Sequence, residues 1–130
     1  MPHVYPLRVY YEDTDMAGIV YYANYLKFIE RARSEYVREI GIDQTALKAE
    51  KDVAFAVRRL EADYVEPAQF DDVLTVETSV EAITGARMVM EQVVKRGESV
   101  LFTAIVTLVA IRLSDGTPTR LPAEIRRIAR

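Results

Sequence analysis

The chain has 130 residues, a net charge of −3 at pH 7 and no cysteine. At 14.8 kDa it is one domain's worth of chain, residues 1–130 forming a single unit that leaves about 7,000 Å² exposed and buries about two thirds of its open-chain surface. The missing cysteine excludes disulfide frameworks, thiolate zinc sites, iron–sulfur clusters and cysteine nucleophiles, and the acidic balance excludes the bulk cationic footprint of a nucleic-acid binder.

The single histidine, His3, rules out multi-histidine metal sites, and a Ser-His-Asp triad would have to use a terminal residue expected to fray. Every cation other than Lys27, Lys48, Lys51 and Lys95 is arginine, the better fork for phosphates and carboxylates. No stretch approaches the roughly 18 apolar residues of a membrane span. The opening residues lack the cationic segment and apolar run of a signal peptide. The expectation is a soluble, cytoplasmic protein.

Val4–Glu12, rich in Val and Tyr, reads as a strand, and Asp13–Gly18 as a loop. Over Tyr22–Ile40, apolar residues at Tyr22, Tyr25, Leu26, Ile29, Ala32, Tyr36 and Ile40 recur at helical spacing, widened by Phe28 and Val37. Gly41 offers a left-handed stop, with Ile42 placed to pack back on the last turn. A short helix over Asp43–Glu50 follows, capped by Asp43. Four strands come next: Asp52–Glu66, Val73–Ile83, Arg87–Lys95 and Val100–Leu113. The later three are separated by the hairpin signals Thr84-Gly85 and Arg96-Gly97, and Ser114-Asp115-Gly116 closes the last. These connections are too short for parallel crossovers, so the four read as an antiparallel meander. A tail over Leu121–Arg130 ends the chain. One sheet with one apolar face needs a cover, and the long helix is that cover. The predicted fold class is α+β, a sheet curled around one helix. Within the second strand, Phe55 and Val57 share a phase with Arg59, whereas Leu60, Ala62 and Tyr64 share one with Arg58. That slip predicts a bulge at Arg58-Arg59.

The sequence has no glycine-rich phosphate loop, no Gly-x-Ser-x-Gly elbow and no His-Glu-x-x-His. The densest polar cluster is Glu12-Asp13-Thr14-Asp15. Asp13-x-Asp15-x-x-Gly18 opens like an EF-hand loop, but its fifth position is Ala17 and its twelfth Asn24, so no metal is expected. An aspartate there serves either as a turn former through Asx hydrogen bonds or as a reactive carboxylate. The second role is favoured by the helix that follows, whose first amides lack internal partners and can hold a developing oxyanion. A carboxylate beside such amides is half of a hydrolytic site for an activated acyl group such as a thioester. Tyr21 and Tyr25 are candidates to line an acyl pocket.

The stretch Tyr10 to Arg33, YYEDTDMAGIVYYANYLKFIERAR, resembles the YbgC-like, 4-hydroxybenzoyl-CoA thioesterase branch of the hotdog-fold acyl-CoA thioesterases. So do Val57-Arg58-Arg59, Asp63-Tyr64, Glu66-Pro67-Ala68 and Asp71-Asp72. The resemblance implies a hotdog fold and an acyl-CoA substrate hydrolysed with no cofactor. It implies a catalytic role for Asp15, as nucleophile or general base, in an Asp-x-x-Gly-x-Val run that adds Gly18 and Val20 to the substrate-binding residues. The amide that polarises the thioester carbonyl would be that of Tyr22. Many members carry histidine there; tyrosine keeps the amide role and removes any imidazole role. Glu30 and Glu35, on the helix, are the competing acids; Glu30 either takes the catalytic role or pairs with Arg33. Arg58, Arg59 and Arg87 are candidates for the CoA phosphates, with Arg120, Arg126 and Arg127 behind them. The resemblance further implies a homodimer or a tetramer of dimers, sheets joined edge to edge with the active site at the subunit boundary, and a link to acyl carrier protein and the Tol-Pal envelope system. Two other readings compete. One is a non-catalytic acyl-CoA or acyl-carrier-protein binding module on the same fold, against which Asp15 argues. The other is a dehydratase, which would need a well-placed histidine.

Overall fold

Strand alternation sets the architecture. In the computed structural model, which describes residues 2–129, the elements run β1 (His3–Arg8), a 3-10 turn (Tyr11–Asp13), α1 (Asn24–Glu39), α2 (Gln44–Lys51), β2 (Val53–Tyr64), β3 (Val73–Thr84), β4 (Arg87–Arg96), β5 (Ser99–Arg112), α3 (Ala123–Arg126) and a last 3-10 turn (Arg127–Ala129). Of the predicted tail, Arg130 lies outside the described residues. All five strands join one antiparallel sheet in the order β1-β3-β4-β5-β2.

One face of that sheet is the core. Leu74, Val76 and Thr78 of β3, Met88, Met90, Gln92 and Val94 of β4, and Phe102, Ala104, Val106, Leu108 and Ala110 of β5 are all buried. Against them α1 lays Tyr25, Phe28, Ile29, Ala32 and Val37. Burying a side chain the size of Phe28 or Ile29 contributes about 1.5–3 kcal/mol, so this face is the main source of stability. The helix stops as its sequence directs. Gly41 takes φ +99°, its N–H bonds Arg38 O at 3.1 Å and Ile42 N–H bonds Val37 O at 3.2 Å, which satisfies the last carbonyls and seats Ile42 on Val37. Asp43 caps α2, accepting from Ala46 N at 3.1 Å.

The buried polar Gln92 fixes the helix on the sheet. Its Nε2 donates to Ile29 O at 2.9 Å and to Thr78 Oγ1 at 3.0 Å, and its Oε1 accepts from Arg33 Nη1 at 2.9 Å. Burial pulls the Arg33 pKa below its ordinary value, against the field of Glu30. Glu30 itself accepts from Ser34 Oγ at 2.9 Å, so Arg33 is tied to Gln92 rather than ion-paired to Glu30.

Several expectations change. The first strand ends at Arg8 rather than Glu12, because Asp13 Oδ2 accepts from Tyr10 N at 2.8 Å and Asp13 N donates to Tyr10 O at 3.0 Å, folding the chain into a tight turn. α1 begins at Asn24, which leaves Tyr22 outside the helix and 63% exposed, and Leu26, within the helix, is 37% exposed rather than part of its buried stripe. The meander holds only for β3, β4 and β5. β2 instead pairs with β5 at the far edge, and residues 65–72 carry the chain across to β3. His3 does not fray: it sits in β1, its Nε2 2.8 Å from Glu39 Oε2 and its ring edge-on to Tyr36.

The bulge falls where the phase slip placed it. Val57 opposes Leu108 and Arg59 opposes Thr107, leaving Arg58 as the extra residue. The slip puts Phe55, Val57, Leu60, Ala62 and Tyr64 on one face, the face that α1 covers elsewhere, since each opposes an inward residue of β5. A second irregularity, between Val80 and Ala82, had no such signature. β2 is exposed on both faces from Val57 to Tyr64. The chain exposes 7,881 Å², against about 7,000 Å² expected for a monomer of this mass.

Candidate active site

The residues from Asp13 to Tyr21 fold into a small hairpin ahead of α1. Asp15 N donates to Ile19 O at 2.9 Å and Tyr21 N to Asp13 O at 2.9 Å, with Thr14 bridged to Val20. The turn closes through Gly18 N to Asp15 O at 3.0 Å. Gly18 stands at φ +79°, a conformation that costs glycine nothing and any other residue something, so its place in the motif is conformational. Asp15 does form the Asx turn: Oδ1 accepts from Ala17 N at 2.9 Å. Among the described residues, its Oδ2 accepts no hydrogen bond. The carboxylate therefore holds the turn with one oxygen and keeps the other free.

The far arm of the hairpin leads into Tyr22, in the turn before α1. That turn is held from several sides. Asn24 N donates to Tyr21 O at 2.8 Å and Asn24 Nδ2 to Asp13 O at 2.9 Å, while the Tyr64 hydroxyl donates to Tyr22 O at 2.8 Å. The Tyr22 N–H finds no acceptor among the described residues. It is an oriented donor left open at the head of a helix, where partial positive charge gathers.

Beside it lies a cleft of about 360 Å³ lined by Ile19, Val20, Tyr22, Tyr25, Tyr64, Val65, Glu66 and Pro67. Its walls are mainly apolar and aromatic, the chemistry of small-molecule pockets. Tyr25 forms the floor. It is buried, stacked on Phe102 with ring centroids 4.9 Å apart, and its hydroxyl accepts from Ala68 N at 3.0 Å. Burial pushes its phenol pKa up, the backbone bond from Ala68 opposing. Arg96 braces the outer rim, donating to Asp72 Oδ2 at 2.8 Å and lying 3.7 Å from Glu66 Oε2. A larger cavity of about 510 Å³, between α2 and residues 119–126, holds none of these groups.

Of the predicted residues, Val20, Tyr22 and Tyr25 line this cleft, while Asp15, Gly18 and Tyr21 lie on the hairpin that leads to it and are not among its lining residues. The arginines are not among them. Arg58 and Arg59 lie exposed on the β2 edge, Arg59 paired to Glu61 at 2.9 Å. Arg87 opens β4, nine residues from Arg96, which at ~3.3 Å per residue puts it about 30 Å from the cleft of its own chain. His3, against the last residue of α1, stands about 24 Å along that helix from its start, which removes the histidine a dehydratase would need. Sequence reasoning missed Tyr64, Val65, Glu66 and Pro67. Three of them stood in the motifs Asp63-Tyr64 and Glu66-Pro67-Ala68, but only the end of β2 and the path of residues 65–72 show that they line the same cleft as Tyr22.

The chain belongs to the thioesterase superfamily, whose family model matches residues 17–103, a span that starts two residues after Asp15. It is 43% identical over 94% of its length to the acyl-CoA thioesterase YbgC of Haemophilus influenzae, covering 90% of that protein. It is 41% identical over 93% of its length to the acyl-CoA thioester hydrolase YbgC of Escherichia coli, again covering 90%. A probable thioesterase from Bartonella henselae has the same fold, with a TM-score of 0.89 at 42% identity over 94% of this chain and 100% of that one. The hotdog fold and its α+β class are those the sequence implied.

Proposed function

We propose that the protein hydrolyses acyl-CoA thioesters to a free acid and CoA, with Asp15 as the reactive carboxylate and the Tyr22 amide as the oxyanion donor. One observation carries the reading: one hairpin and its exit hold a carboxylate oxygen and an amide that have no hydrogen-bond partner among the described residues, and Ile19, Val20 and Tyr22 of the same stretch line an apolar cleft. The acyl group enters the cleft and its carbonyl oxygen takes the Tyr22 N–H. Asp15 Oδ2 then either attacks the carbonyl carbon, releasing CoA thiolate and leaving a mixed anhydride for water to cleave, or takes a proton from the attacking water. In both routes negative charge grows on the carbonyl oxygen, where a preorganised donor lowers the barrier most. Thioesters are activated enough that no histidine is required, and neither route uses a metal or an organic cofactor.

The working unit in this reading is at least a dimer. β2 is a 12-residue edge strand with its backbone groups open to pairing. The surface in excess of the monomer expectation, roughly 900 Å², is close to one partner's share of a standard interface. Arg58 and Arg59 lie at the middle of that edge, so pairing two β2 edges puts them in the subunit interface, where a CoA bound across the boundary could meet them. Arg87, so far from its own cleft, reaches a bound CoA only across a subunit boundary. On the sheet face opposite α1, Val89, Val93, Ile105, Val109 and Ile111 lie outward, interleaved with Arg87, Glu91, Thr103 and Thr107, a mixed surface open to the assembly of dimers into tetramers. We place the enzyme in the cytoplasm, where acyl-CoA is made; none of the described helices is long and apolar enough to cross a membrane. Acyl carrier protein and the Tol-Pal system enter as partners on the family resemblance alone.

The deciding experiment is release of free CoA from a panel of short, long and aromatic acyl-CoAs. Turnover of at least one member is expected. Binding of acyl-CoA without turnover of any member refutes hydrolysis and leaves the binding module.

A further inference from the structure

Four hydrogen bonds hold the turn at Tyr21-Tyr22, and three of them come from within the same stretch of chain. Asp13 O accepts from Tyr21 N and from Asn24 Nδ2, and Tyr21 O accepts from Asn24 N. The fourth comes from the sheet: the Tyr64 hydroxyl, at the last residue of β2, donates to Tyr22 O at 2.8 Å across 42 residues of sequence. The Tyr64 ring is itself fixed by edge-on contacts with Phe102 at 5.0 Å, Tyr25 at 5.5 Å and Tyr22 at 6.3 Å. It is also a wall of the cleft.

We propose that Tyr64 is a positioning residue for hydrolysis: its hydroxyl ties the turn that presents the Tyr22 amide to the end of the sheet, while its ring shapes the acyl cleft. The proposal rests on the assignment of the Tyr22 amide as oxyanion donor and adds the residue that aims it. A carbonyl held at 2.8 Å fixes the plane of the Tyr22–Ala23 peptide and restrains the backbone on which the neighbouring Tyr22 N–H depends. Without that bond the turn loses its direct tie to the end of β2 and keeps the local bonds of Asp13 and Asn24 and, further back on the hairpin, the bond from Val20 N to Ala68 O at 2.8 Å. Burial, together with the fields of Tyr22 and Tyr25, raises the Tyr64 phenol pKa, so the group stays a protonated donor across the neutral range in which a carboxylate works as base or nucleophile.

The ring and the hydroxyl have separable roles, and that makes the proposal testable. Tyr64→Phe keeps the ring and removes the donor; Tyr64→Leu removes both. With the best acyl-CoA from the panel, Tyr64→Phe is expected to lower kcat about tenfold with KM changed less than about twofold, since a small displacement of a catalytic donor costs rate rather than ground-state binding. Its affinity for the S-alkyl-CoA thioether of equal chain length, which has no carbonyl to meet the amide, should stay at the wild-type value. Tyr64→Leu should in addition raise KM several-fold. Asp15→Asn, run in parallel, separates the proposal from its premise. If Asp15→Asn keeps full turnover, the site assignment fails and the role of Tyr64 with it. If Asp15→Asn is inactive and Tyr64→Phe is fully active, the Tyr64 proposal alone is overturned. A Tyr64→Phe variant that loses kcat, KM and thioether affinity together has merely loosened the cleft, which also overturns it. Should Tyr64→Leu fail to fold, the Phe variant decides.

Discussion

Replacing Asp15 by asparagine removes one negative charge and leaves its turn standing. The Oδ1 that accepts from Ala17 N has an equivalent in the asparagine amide oxygen, so the expected loss of stability is below about 0.5 kcal/mol. Asp15→Ala removes that acceptor and should cost about 1 kcal/mol, the usual net worth of one hydrogen bond. For a chain of 130 residues, unfolding entropy near 2.1 cal/mol/K per residue converts 1 kcal/mol into about 4 °C of Tm. The two variants should therefore differ by a few degrees in thermal unfolding yet be equally poor catalysts. Turnover should fall at least roughly a hundredfold in both, about 2.7 kcal/mol of barrier, in line with loss of a positioned acid–base group. Continuous detection of released CoA, with circular dichroism on the same samples, measures both quantities. An Asp15→Asn enzyme within a few-fold of wild type would reduce Asp15 to a turn residue and refute the mechanism. Glu30→Gln serves as the comparison: Glu30 only accepts from Ser34, and its loss should change turnover less than about threefold. The reverse ranking would move the catalytic acid onto α1.

Arg58→Ala, Arg59→Ala and Arg87→Ala are expected to include at least one variant whose KM for acyl-CoA rises several-fold at unchanged kcat, an effect that shrinks as salt screens the charges; three wild-type KM values at low salt would move the phosphates elsewhere. Gln92→Leu strips partners from Thr78, Arg33 and the Ile29 carbonyl and should cost about 2–4 kcal/mol, a drop of roughly 8–15 °C in a thermal melt, whereas a Tm within 2 °C would show the network to be dispensable. Light scattering at micromolar concentration should give at least twice the chain mass of 14.8 kDa, and a monomer would defeat the edge-to-edge assembly.

Local chemistry was legible in the sequence, and long-range pairing was not. The Gly41 stop, the Asp43 cap and the bulge at Arg58 each depend on residues within a few positions, and each is found where the pattern put it. The wrong partner for β2 came from reading adjacency along the chain as adjacency in the sheet. Nothing local distinguishes Phe55 facing a β3 neighbour from Phe55 facing Ala110 of β5, as it does. The site divides in the same way. Asp15, Gly18 and Tyr22 sit within one hairpin and its exit, so spacing alone grouped them. Tyr64 reaches the same cleft through the pairing of β2 with β5, and Glu66 through the fold of residues 65–72. Gln92 carried a signal that went unused, a polar side chain in phase with Met88, Met90 and Val94 on a core face.

The same strand order imposes a timetable on synthesis. β3, β4 and β5 follow one another and can zip together as they leave the ribosome, but β2 must wait for β5. Between completion of β2 at Tyr64 and completion of β5 at Arg112, about 50 residues must be made, some 2–10 s at 5–20 residues per second. Through that interval α1 has no finished sheet to cover, and β2 trails unpaired with Val57, Leu60 and Tyr64 bare. A nascent chain stalled there presents an amphipathic helix and a naked strand to whatever is nearby. Demand for chaperone should therefore peak while residues 65–112 are being made and fall once β5 is complete.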